Sequence, residues 1–132
     1  MYIAELVQSQ LLAVTGITKI AADIRSAGDI LPAIVFEVES DDTIDMITGG
    51  EIAWKAVVRV TCIATRLITA VGLADSVRIG VHQQTWASPN ATCYMCTVTD
   101  QKNNLIDDGA PGLLDVSRNV ILTLTIYYKD NA

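Results

Sequence analysis

The chain has 132 residues, 51% of them hydrophobic but only 5% aromatic, and its nine Lys and Arg against fifteen Asp and Glu leave a net charge of −6. That length suits one domain over residues 1–132, able to bury about two thirds of the surface its unfolded form exposes. The acidic balance, with no basic cluster to follow a phosphate backbone, speaks against direct nucleic-acid binding, while a mean hydropathy of +0.37 exceeds what a solitary soluble domain needs and points to self-association or burial in an assembly.

The N-terminal MYIAELVQSQLL has an early Glu5, no basic segment and no apolar run long enough for a signal peptide or a membrane span. An intracellular chain with reduced thiols is therefore expected, and no membrane partner. Ala4, Val7, Leu11 and Val14 recur at helical spacing before Gly16, which predicts a first helix with a glycine C-cap. Ile17, Ile20, Ala21 and Ile24 repeat that spacing up to Gly28 and predict a second short helix or a bent continuation.

After Pro32 the period changes to two: Ile34, Phe36 and Val38 alternate with Val35, Glu37 and Glu39, a strand begun by the proline. Residues 40–50, with Asp41, Asp42, Asp45 and Gly49-Gly50, read as an acidic loop. Then EIAWKAVVRVTCIATR sets Ile52, Trp54, Ala56, Val58, Val60, Cys62 and Ala64 on one wholly apolar side. Its other side mixes Lys55, Arg59 and Thr61 with Ala53, Val57 and Ile63, so this strand calls for cover on both faces. From Leu67 the period is helical again, with Leu67, Ala70, Ala74, Val77 and Val81 on one stripe. Trp86 falls in a loop, Cys93 to Val98 in a third strand, and residues 100–112, with Asp107, Asp108 and Gly109, in a polar turn region. Val116, Val120, Leu122, Leu124, Ile126 and Tyr128 define a last strand. The predicted class is α+β: an antiparallel sheet of about four strands in two hairpins, packed against a long helix, with a helical N-terminus.

Chemistry is sparse. Cys93 and Cys96 form a CxxC, but in a strand the two sulfurs should leave on opposite faces, so no redox pair is expected and the cysteines read as small buried hydrophobes. His82, the only histidine, stands at a helix C-terminus where the dipole suits it, with no nucleophile motif to serve. The aspartate groups lack the alternation of a calcium loop and read as solvated charge. Trp54 should be core, and Trp86 either a packing plug or an interface anchor. No catalytic residue, metal site or cofactor is expected.

The order of elements, from LPAIVFEVES through EIAWKAVVRVTCIATR running into LITAVGLADSVRIGV and on to VSRNVILTLTIYYKD, resembles the small tail completion or tail terminator proteins of long-tailed bacteriophages. The resemblance implies a non-enzymatic virion protein, assembled in the host cytoplasm, that forms a hexameric ring on the tail tube, stops tube polymerisation and meets the head-closure connector. DNA would pass through such a ring without specific binding, which its acidity suits. On this reading Ala53, Lys55, Val57, Arg59, Ile63 and Ile121 are expected at the subunit interface. Asp41, Asp42, Asp45, Trp86, Asp107 and Asp108 would make partner or inter-subunit contacts, Lys55 and Arg59 pairing with acidic residues of the next copy. The alternatives are another head-tail connector or minor tail protein, and a small cytosolic dimeric ligand-binding domain with the Trp86 loop over a pocket.

Overall fold

A computed structural model describes residues 2–16, 20–22, 33–45, 52–64, 66–107 and 116–130. The elements in chain order are α1 (Ile3–Thr15), β1 (Ile20–Ala22), β2 (Ala33–Asp45), β3 (Ile52–Ala64), α2 (Leu67–Val81), β4 (Trp86–Ala87), β5 (Ala91–Asp107) and β6 (Val116–Asp130). The described strands form one sheet in the order β1-β2-β3-β6-β5-β4. Its centre is the two predicted antiparallel hairpins, β2-β3 and β5-β6, joined by an antiparallel β3-β6 ladder. The class is α+β, with four long strands and two short ones at the edges.

Helix α1 ends as its sequence demands: Gly16 adopts φ 69° and its N–H donates to the Leu12 carbonyl at 3.0 Å. The buried stripe is Ile3, Leu6, Val7 and Leu11, with Ala4 turned to solvent. Helix α2 buries Ala70, Ala74, Val77 and Val81, and both helices cover the same side of the sheet, against Phe36, Val58, Val60, Cys62, Leu122, Leu124 and Ile126. Small alanines on α2 let its axis lie close to the sheet, so large side chains come from the strands instead.

Four expectations are corrected. The predicted second helix contains a strand: Ile20, Ala21 and Ala22 pair in parallel with Ile34, Val35 and Phe36. A run as short as Ile20-Ala21-Ala22 satisfies either period, and the open hydrogen-bonding edge of β2 decides between them. Ile17, Ile24 and Gly28 lie outside the described residues. Secondly, the predicted acidic loop over 40–50 is strand as far as Asp45: Ser40 to Asp45 continue β2 against β3, with Asp45 opposite Ile52, and residues 46–50 lie outside the described residues. A one-residue slip between Val38 and Ser40 breaks the alternation there and moves Asp41 onto the helix side of the sheet, beside Ala56. Thirdly, the polar stretch 100–107 is strand, paired with β6 from Thr123 back to Val116. Finally, Trp86 belongs to β4, paired with Cys93.

The CxxC geometry is also corrected. The register slips between Cys93 and Met95, so that Cys93 faces with Tyr128 and Cys96 with Ile126, and both thiols enter the same core. Cys62, Cys93 and Cys96 are all free and buried, and burial pushes Cys62 and Cys96 up to about 12 and Cys93 to about 11. Protonated thiols of that kind are the inert small hydrophobes the sequence led us to expect.

Candidate subunit interface

Strand pairing decides which side chains share a face. On β3, Ala53, Lys55, Val57, Arg59, Thr61 and Ile63 point away from the helices, and Ile121 joins them opposite Thr61. All six predicted interface residues thus lie on one outer sheet face. They differ in what they offer. Ala53 and Ile63 are already buried, at 2% and 7% exposure, so they have little left to give a neighbour. Val57 and Ile121 are half-buried, while Lys55 and Arg59 are exposed.

The charges on this face have neighbours within the chain. Arg59 forms an ion pair with Glu39 of β2 through one guanidinium nitrogen, and Lys55 stands directly opposite Asp42 across the β2-β3 ladder. Both side chains of the Arg59 pair are partly solvated, at 49% and 33% exposure, so the pair orients β2 on β3 more than it stabilises it.

Asp41, expected in a solvated loop, has a structural task. The Tyr128 hydroxyl donates to both carboxylate oxygens of Asp41, at 2.7 and 2.8 Å, and Trp54 of β3 stacks on the Tyr128 ring at 6.3 Å with 21° between the planes. Three strands are tied at one end of the core by this contact. Burial, then the hydrogen bond and the negative charge of Asp41, hold the Tyr128 hydroxyl far above its ordinary range, in its donating form. Tyr128→Phe is expected to cost about 1.5 kcal/mol, the worth of a hydrogen bond to a charged group. Urea unfolding of the variant checks this, and an unchanged midpoint would remove the tie from the account.

Trp86, left open between plug and anchor, is a plug: its indole Nε1 donates to the Leu6 carbonyl at 2.9 Å and its ring packs on the core. It fixes α1 to the β4 edge, helped by Asn90, which donates to both carboxylate oxygens of Glu5 at 3.2 and 3.4 Å. Asp45 and Asp107 end β2 and β5, opposite Ile52 and Val116, and Asp108 lies outside the described residues.

His82 follows the last residue of α2, as its sequence position indicated, but its ring serves β5. The Nδ1 atom accepts the Val98 N–H at 3.0 Å, next to a second register slip between Val98 and Asp100, and the Gln83 N–H donates to the Cys96 carbonyl at 2.7 Å. The turn after α2 thereby seals the middle of the β5 edge against strand addition.

Sequence reasoning missed the concave part of the outer face. A shallow groove of about 430 Å³ is lined by Lys55, Tyr94, Met95, Thr97, Thr99, Thr125 and Tyr127. The register slip at Tyr94 turns that residue and Met95 outward, at 40% and 51% exposure, and periodicity could not anticipate it. Among the described residues no group of three or more His, Cys, Asp and Glu is placed to hold a metal, and no helix is long and apolar enough to cross a membrane.

No family model matches the chain, and no curated protein does. Among solved structures it is similar to a chain of the virion of native gene transfer agent (GTA) particle, with a TM-score of 0.55 and 18% identity over 93% of this chain and 91% of that one. At that identity the likeness is one of fold, and it runs through nearly the whole of both chains.

Proposed function

We propose that this chain is a virion structural protein of the tail terminator type: a ring at the head-proximal end of a phage tail tube that ends tube polymerisation and offers a surface to the head-closure connector. The observation that carries the reading is the fold likeness, over 93% and 91% of the two chains, to a chain of a virion particle. The order of elements in the sequence supports it independently. So does an outer sheet face that keeps Lys55, Val57, Met95 and Tyr94 partly or largely in water while the opposite face is sealed by helices. A ring of such acidic copies repels DNA phosphates and lets the duplex slide through. Copies of the same chain, tail tube protein and the head-closure protein are its partners, and no catalytic group takes part.

Native mass spectrometry of the purified protein, alone and with tail tubes, tests the reading. Closed six-copy rings that bind tube ends are expected. Negative-stain images of particles made without it should show tails of uncontrolled length, whereas finished tails lacking heads would assign it to another neck position. A persistent monomer indifferent to tubes would reject the proposal. The ligand-binding alternative has less behind it, since the Trp86 indole N–H donates to the Leu6 carbonyl and its ring packs on the core.

A further inference from the structure

Six large apolar side chains among the described residues are exposed, and they fall into two patches on opposite sides of the molecule. Tyr2, Leu12, Ile68 and Ile79 lie on the helix layer, while Tyr94 and Met95 line the groove of the outer sheet face. From these we infer that the outer stripe of α2 in one copy seats in the sheet groove of the next, a head-to-tail contact between identical chains. The inference rests on the ring reading above and specifies which surfaces meet.

The stripe is Ile68, Gly72, Asp75 and Ile79, opposite the buried alanines. Ile68 and Ile79 are 78% and 72% exposed, and their eleven-residue separation places them about 16 Å apart and within about 20° of one line along the helix. Gly72 between them leaves open space where a side chain would stand, so a flat surface can approach closely there. On the other side, Tyr94 to Thr99 spans about 16 Å of strand, the same length as the isoleucine pair. Charge agrees with shape. Lys55 at the groove has Asp42 opposite it across the ladder, and Asp75 lies between the two isoleucines, paired with Arg78 of its own helix at 3.1 Å. In the docked pair Asp75 comes to Lys55 as a second carboxylate beside Asp42, which fixes orientation.

The occupant must be another copy. The two patches are separated by the thickness of the sheet and the helix layer, so they cannot meet within one chain. Joining like to like would make a two-fold dimer and leave the other patch bare, whereas joining unlike patches covers both and repeats around a closed ring.

Two exposed positions test this: Ile79→Asp spoils the helix stripe and Met95→Asp spoils the groove. Wild-type protein at millimolar concentration should assemble beyond the dimer. Each variant alone should be monomeric by native mass spectrometry, and an equimolar mixture should give one-to-one heterodimers and nothing longer, because only one good contact can form. A variant that assembles like wild type, or a mixture that stays monomeric, overturns the contact while leaving the ring reading intact. Wild-type protein that never assembles, with tubes or without, overturns both. Matching thermal melts of the variants show that the fold is kept. As a second arm, Ile79→Cys and Met95→Cys protein mixed with a short bismaleimide should give cross-linked dimers, since the three native thiols are buried. Failure to cross-link an assembled wild-type-like mixture counts against the contact.

Discussion

Raising the pH from about 8 to about 10 is expected to remove about 3 kcal/mol of stability through Cys62 and Cys96 alone. Both thiols are buried among aliphatic side chains, with Cys62 between Ile34 and Val120 in the ladder and Cys96 opposite Ile126. Burial raises each from 9.0 to about 12, because a thiolate in that core would lose its hydration without gaining a cation. Below pH about 9 the thiols are protonated in both folded and unfolded chains, and this stabilising contribution is fully present. Above it, only the unfolded chain releases its protons, so each group costs about 1.4 kcal/mol per pH unit until its folded value is reached. Urea midpoints across this range should fall steeply. Tyrosines and lysines titrate in the same region, so the decisive measurement is the slope in Cys62→Ala and Cys96→Ala, where each replacement should flatten it by about 1.4 kcal/mol per pH unit. Equal slopes in wild type and variants would show that the thiols are not the cause.

The second large effect sets two glycines of one helix against each other. Gly80 lies where α2 crosses α1: a Cβ placed there would come within 2.3 and 2.6 Å of Val14 side-chain carbons, and the Gly80 carbonyl accepts the Gln10 side-chain amide at 2.9 Å. Because the Val14 Cβ itself stands at 2.6 Å, turning that side chain about χ1 cannot clear the clash, so the two helices must move apart. Gly80→Val is expected to destabilise by about 3 kcal/mol. Gly72, two turns earlier, faces open space, and Gly72→Ala should stabilise by about 1 kcal/mol through helix propensity alone. Thermal unfolding of the two variants should move in opposite directions. If Gly80→Val costs far less in a Val14→Gly background, which removes the Val14 Cβ as well, the steric cause is established, and if both glycine variants behave alike, it is refuted.

The two hairpins and the helix between them were legible because their periods are long and unbroken. Val120 to Tyr128 alternates without a slip, and Ala70 to Val81 keeps a single small-residue stripe. Three register slips, at Val38/Ser40, Cys93/Met95 and Val98/Asp100, were not legible, since a slip inserts one residue into a ladder without marking the composition around it. Those slips account for the side chains that sequence reading put on the wrong face. They swing Asp41 inward to Tyr128, bring Cys93 and Cys96 onto one face, and expose Tyr94 and Met95 at the groove. The six residues predicted for the interface were found on one face because that prediction needed only the parity of β3 and β6. Their burial was not predictable, since cover at Ala53 and Ile63 comes from elsewhere in the chain.

By itself, then, the sequence determined the α+β class, the apolar sides of β3 and β6, and the glycine stop of α1. Those properties depend on residues close in the chain, where period and side-chain volume act directly. Tertiary structure decided the parallel edge strand at Ile20, the strand identity of the polar stretch before Asp107, the anchoring of Trp86 to Leu6, and which apolar side chains stay in water. Each of these depends on a partner far along the chain, whose hydrogen-bonding edge or covering surface exists only once the sheet is assembled.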